Sequence, residues 1–130
     1  MNGKNNGRQF VDTDVLVYAH DILAGERHAR TKSLVAALWE TGNGCLSVQV
    51  LQEFYVTVTR KVRQPLAPET ASQLIEYLSA WRVHAPDAAD VLEAIAIHRR
   101  YAISFWDAMI IRSAEALGCK ITWSEDLSPF

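Results

Sequence analysis

Acidic residues at four separated places in the chain are the features from which chemistry can be read. Asp12 ends the apolar run FVD and is followed at once by Thr13 and a further acid, Asp14. Glu53 lies early in VQVLQEFYVTVTRKV, Asp107 follows Ser104, Phe105 and Trp106, and Asp126 closes KITWSED. Carboxylates gathered at one point repel one another, which raises some of their pKa values unless a cation lies among them. An all-oxygen acidic site with positions left for water suits Mg²⁺ or Mn²⁺.

Whether the four meet depends on the elements that carry them. RQFVDT reads as a short buried strand and DVLVYAHDI as the helix after it. ERHARTKSLVAALWETG has Leu34, Val35, Leu38 and Trp39 at helical spacing, with Gly42 and Gly44 as its stop. CLSV is a second strand. VQVLQEFYVTVTRKV places Leu51, Phe54, Tyr55, Val58 and Val62 on one helical stripe and ends before Pro65. A helix from Pro68 to about Ala80, the strand WRVHA, a helix in PDAADVLEAIAIHRRY with Pro86 near its start, a helix in SFWDAMIIRSAEALG closed by Gly118, and the strand CKITWS complete the series. Apolar strands separated by helices predict a parallel sheet between helical layers. In such sheets ligands bind outside the carboxyl ends of the strands. Asp12 and Asp126 fall at strand ends; Glu53 and Asp107 fall near helix starts that can face the same rim.

Each acid also has a plainer reading. Thr13 or Asp14 can N-cap the helix that follows. Ser104 through Asp107 fits a capping box, so Asp107 can serve a helix end; yet Ile110, Ile111 and Ala114, at three, four and seven residues on, place it on an apolar face. Glu53 lies opposite the Leu51, Phe54, Tyr55, Val58 stripe, where a solvated glutamate belongs. Ser124, Glu125 and Asp126 also read as a turn.

Composition narrows the classes. A chain of 130 residues, 49% hydrophobic, has room for one core. A net charge of −2 demands no polyanionic partner, although local patches can still attract one. Cys45 and Cys119 have neither CxxC spacing nor histidine neighbours and read as reduced, small core residues. No apolar run reaches the roughly 20 residues of a membrane span, and MNGKNNGRQ lacks the apolar region of a signal peptide. A soluble, cytoplasmic protein is expected.

Taken together and in order, FVDTDVLVYA, LSVQVLQEFYVTVTRK, SFWDAMIIRSAEALGC and ITWSEDLS resemble the PIN-domain family, and within it the VapC-type ribonuclease toxins of type II toxin-antitoxin systems. The resemblance runs from Phe10 to Ser128. It implies an α/β fold, a three-layer α/β/α sandwich with a central parallel sheet, forming a single PIN-like domain over 1–130. Residues 1–8 are then a flexible extension, and the C-terminal edge strand found in relatives is expected to be missing. It assigns Asp12, Glu53, Asp107 and Asp126 as the metal ligands, with the Thr13 hydroxyl organising them and Ser124 as a supporting donor. It further implies Mg²⁺- or Mn²⁺-dependent hydrolysis of RNA, tRNA or another structured RNA, by metal-activated water. A cognate antitoxin and a homodimer are the partners it suggests. The family usually has Asn where Asp14 stands, so this site carries one more acid.

For the RNA path, the segment RKVR at 60–63 with Arg99, Arg100 and Arg112 offers a phosphate-tracking rim. Trp106 and Tyr101 can stack on bases, although aromatic residues are more often core. His20, His28, His84 and His98 have no metal-ligand spacing and receive no role. Two rival readings remain. DTDVLV also fits the DxDx[TV] pattern of haloacid-dehalogenase-like phosphatases, with Asp12 as nucleophile and Asp14 as acid/base; a catalytically silent PIN-like binding module is the other.

Overall fold

Residues 7–124 are described by a computed structural model. Strand β1 (Gln9–Val11) buries Phe10 and Val11 completely and is followed directly by α1 (Thr13–His20). After a 3-10 turn at Ile22–Ala24 comes α2 (Glu26–Thr41), which stops where Gly42 adopts φ 74° and its amide donates to the Leu38 carbonyl. The left-handed conformation costs glycine nothing and ends the helix. Strand β2 (Gly44–Ser47) is buried at every position. Then follow α3 (Val48–Arg60), α4 (Pro68–Leu78) with proline in its first turn, and β3 (Arg82–His84). A helical hairpin, α5 (Ala88–Tyr101) and α6 (Phe105–Ala116), leads into β4 (Ile121–Trp123).

The strands pair in the order β3-β2-β1-β4, all parallel. Helical connections make the strands parallel, because each crossover returns the chain to the same end of the sheet before the next strand begins. Phe10 stands between Cys45 and Thr122, and Val11 beside Trp123, so β1 is an interior strand covered on both faces. The result is the three-layer α/β/α sandwich expected from the alternation. Among the described residues no helix is long and apolar enough to cross a membrane.

One large core gathers Phe10, Val11, Leu16, Leu46, Phe54 and their neighbours. A separate small cluster, Ala94, Ala108 and Met109 with Ile97, Ile103 and Phe105, lies between α5 and α6.

Several expectations are corrected. The buried stripe of α3 is Val50, Phe54 and Val58, while Tyr55 is 37% exposed and Leu51 only half-buried. The helix starts directly from a fully buried Ser47 cap, which turns the four-residue repeat from Val50 inward. Gly44 is not part of the helix stop: it is a strand residue whose hydrogen faces Trp81, and a Cβ there would overlap the indole ring. Pro86 precedes α5, whose N-cap is Asp87. Cys45 is buried and Cys119 half-buried, both as free thiols. Arg8, placed in the N-terminal extension by the sequence, donates from Nη1 to the Leu117 carbonyl at 2.9 Å. The expectation of a missing edge strand concerns the chain after Trp123 and falls on residues beyond Ser124, outside those described.

Candidate metal centre

Parallel strands deliver their carboxyl ends to one rim. The ends of β1 and β4 lie side by side, since Val11 pairs with Trp123, and those of β2 and β3 likewise through Ser47 and His84. Asp12 steps off β1 at this rim, its amide donating to the Trp123 carbonyl at 3.1 Å. Its side chain then N-caps α1, Oδ1 accepting from the Thr13 amide at 2.7 Å. The cap of α1 is thus Asp12 rather than Thr13 or Asp14. Asp14 sits exposed in the first turn, where a negative charge suits the helix dipole.

Asp12 is the most perturbed carboxyl of the rim. Its pKa is raised from 3.8 to about 6, mainly by burial; the Thr13 amide opposes the rise, and the charges of Asp14, Glu53 and Asp107 add to it. The three other acids therefore act on one half-buried carboxylate, although they come from three different helices.

Glu53 is exposed, as its place opposite the stripe suggested, but it is not a free surface group. The buried Thr13 hydroxyl donates to Glu53 Oε1 at 2.7 Å, tying α3 to the turn that holds Asp12. Gln49, one turn earlier on α3, donates to Glu53 Oε2 at 3.3 Å and to the Trp106 carbonyl at 3.4 Å. That second bond joins the starts of α3 and α6. Gln49 was missed in the sequence; the signal was its four-residue spacing from Glu53, which places both on one helix face.

Asp107 occupies the first turn of α6, its amide donating to the Ser104 hydroxyl at 3.0 Å. The carboxylate is exposed rather than embedded in an apolar face. The stripe through Ile110 and Ala114 does enter the core, but it begins one turn after Asp107, so the acid projects from the helix end at the rim. Ser124 is half-buried at the end of β4, and Asp126 lies outside the described residues.

The donors fit a hard divalent cation by their chemistry. They are carboxylates, and the charges of Glu53 and Asp107, with that of the neighbouring Asp14, add to the burial that penalises ionisation of Asp12, a penalty that a cation would offset. Among the described residues no three His, Cys, Asp or Glu side chains stand together as a preformed ligand cluster. Asp12, Glu53 and Asp107 are brought to one rim, and the expected fourth member is not described.

The rim's surroundings differ from expectation in two ways. Trp106 and Tyr101 are not core: they are 62% and 61% exposed, Trp106 resting edge-on against Phe105. Arg112 does not face a substrate path, because its Nε is 2.8 Å from Asp90 Oδ1. Arg60, Lys61, Arg63, Arg99 and Arg100 are exposed. An open groove of about 230 Å³, lined by Gln52, Glu53, Val56, Thr57 and Lys61, leads along α3 away from Glu53. Beside it an almost wholly apolar groove of about 370 Å³ is lined by Val48, Leu51, Gln52, Tyr55, Val56 and Ile75.

Comparison with known proteins bears on this arrangement. The profile of the PIN domain matches residues 10–128. The crystal structure of VapC20 from Mycobacterium tuberculosis, a toxin that cleaves the sarcin-ricin loop, superposes with a TM-score of 0.70. The match covers 89% of this chain and 88% of that one at 22% identity, a likeness of fold. No curated protein sequence matches significantly.

Proposed function

The chain belongs to the PIN-domain family, and from that premise we propose that it is a VapC-type endoribonuclease toxin. Asp12, Glu53, Asp107 and Asp126 hold Mg²⁺ or Mn²⁺ at the strand-end rim. The observation that carries the reading is Asp12: a half-buried carboxylate whose pKa rises to about 6 under burial and the charges of Asp14, Glu53 and Asp107. The side chain caps α1, but its ionised form is costly where it stands, and a bound cation would offset that cost. When bound, a divalent ion offsets charge developing on the scissile phosphate and lowers the pKa of a water molecule.

The chain's own groups prepare the site. Thr13 and Gln49 bond one oxygen each of Glu53, fixing the plane of its carboxylate. Trp106, exposed one residue before Asp107, offers an aromatic face to an unpaired base. The groove ending at Lys61 takes the adjacent backbone phosphates. Unpaired bases and accessible phosphates occur together in the loops of structured RNA. Because VapC20 cleaves the sarcin-ricin loop, that loop and tRNA are the first substrates to try.

Neutralisation by an antitoxin accounts for the apolar groove on α3 and α4, where Val48, Tyr55 and Val56 are all more than a third exposed. It takes an apolar helix face of the antitoxin, whose tail covers the neighbouring rim. The setting is the cytoplasm, and a homodimer is the assembly proposed for the toxin itself.

The test is cleavage of these RNAs by purified, antitoxin-free protein in Mg²⁺ or Mn²⁺. Activity lost in EDTA and in the D12A variant supports the reading. A folded protein that cuts no RNA under any divalent ion supports the silent binding module instead. The phosphatase reading predicts inactivity of D14N, whereas the nuclease reading predicts a tolerated change towards the residue usual in the family.

A further inference from the structure

Outside the rim, one polar cluster is far more elaborate than its surroundings require. Asp90, buried in the first turn of α5, accepts from the Asp87 amide at 2.9 Å and from Arg112 Nε at 2.8 Å, and lies 3.3 Å from His84 Nε2. The Asp90 amide in turn donates to Asp87 Oδ1, closing a reciprocal cap. The Asp87 backbone and Arg112 together hold the Asp90 carboxyl down at about 2. On its other side, His84 Nδ1 is 2.8 Å from the hydroxyl of Ser113. The cluster therefore joins the end of β3, the start of α5 and the middle of α6.

Ser113, His84 and Asp90 have the connectivity of a nucleophile, base and carboxylate. Ser113 is 1% exposed in mid-helix, so no substrate can reach its hydroxyl. The arrangement is mechanical. Arg112 and Ser113 are five and six residues beyond Asp107 on the same helix.

The apolar contacts of that helix do not fix its rotation well. Its inward residues are the small Ala108 and Ala114, the flexible Met109 and one large, stiff side chain, Ile110, divided between two cores. Apolar burial has no direction, and methionine adapts to many shapes. Hydrogen bonds to Asp90 and His84 do have direction. A rotation of α6 by about 20° at a side-chain radius of about 6 Å moves a first-turn carboxylate by about 2 Å, as much as a whole Mg²⁺–oxygen bond.

We propose that Asp90, Arg112, His84 and Ser113 form a clamp that sets the rotation of α6 and so positions Asp107 for the metal. The four are positioning residues, and the inference rests on the reading of Asp107 as a ligand. R112M is the direct test because it keeps the aliphatic stem and removes the guanidinium; S113A is the milder cut if R112M folds poorly. Calorimetric titration with Mn²⁺ should give a dissociation constant raised about tenfold in R112M, the low end for loss of a group supporting a ligand. R112K should recover part of it. With saturating Mn²⁺, kcat should fall while KM for RNA stays put. Amide exchange measured without metal should accelerate in the first two turns of α6 and leave α2 unchanged.

Unaltered Mn²⁺ affinity and unaltered exchange in α6 would overturn the clamp. So would a raised KM with normal metal affinity, which would make Arg112 an RNA contact. If the wild-type protein binds no Mn²⁺, the metal reading fails, and exchange in α6 still decides whether the cluster fixes the helix.

Discussion

Replacing Asp12 by Asn removes a charge that the fold holds in an unfavourable place. The carboxyl moves from 3.8 to about 6 on folding, and at about 1.4 kcal/mol per tenfold this amounts to about 3 kcal/mol. The folded state binds the proton more tightly than the unfolded one. Below about pH 4 both states carry it, and Asp12 costs nothing; between about 4 and 6 the penalty grows as pH rises, and above 6 it is complete. An asparagine keeps an oxygen to accept from the Thr13 amide, so the helix cap survives. D12N should therefore be more stable than wild type at pH 7.5 in EDTA, by up to about 3 kcal/mol. With an unfolding entropy of about 2.1 cal/mol/K per residue, that is about 10 °C in Tm. Thermal unfolding by circular dichroism from pH 4 to 8 reads it directly, and the gap should close towards pH 4. Mn²⁺ at a hundredfold excess over its Kd should add about 2.7 kcal/mol to wild type and much less to D12N, narrowing or reversing the order. A D12N variant no more stable than wild type at pH 7.5, or a gap independent of pH, would refute this account of Asp12.

Other perturbations separate the parts of the site. T13V removes the hydroxyl that holds Glu53 while keeping the buried shape; loss of this hydrogen bond should lower the unfolding free energy by about 1–2 kcal/mol and, with Glu53 no longer held, weaken Mn²⁺ binding about tenfold in calorimetric titration. W106A should raise KM for a structured RNA about tenfold, as loss of one base stack implies, and leave Mn²⁺ affinity as it was; an unchanged KM would remove Trp106 from the RNA path. G44A forces a Cβ into the Trp81 ring and should cost about 1–3 kcal/mol, measured as a lowered urea midpoint without loss of metal binding.

Sequence pattern revealed the fold because short, wholly apolar runs alternate with helical stretches along the chain. Short runs such as QFV and CLS are buried on both faces, and helical stretches separate them, so a parallel sheet and its rim follow from connectivity alone. Asp12 was legible for the same reason, a charged residue directly after residues that must be buried. Glu53 was not, since a solvated glutamate and one bonded to Thr13 share the same helical phase; only the packing of α3 against the turn at Asp12 separates them. The stripe through Ile110 and Ala114 predicts a buried Asp107, yet the residue is exposed in the first turn of α6, because a stripe predicts the helix face and not where along its length the core stops. The pairing of Arg112 with Asp90 joins residues 22 apart in two helices, and no local spacing encodes it. Trp106 is exposed although tryptophan usually packs inside, because the helix start at the rim leaves it without a layer to cover it.

Crystals grown with Mn²⁺ and measured near the manganese absorption edge would locate the ion by anomalous scattering, independently of any assay. The expected peak lies among the carboxylates of Asp12, Glu53, Asp107 and Asp126 at the strand-end rim. A peak elsewhere on the surface, or none while the protein binds Mn²⁺ in solution, would contradict it.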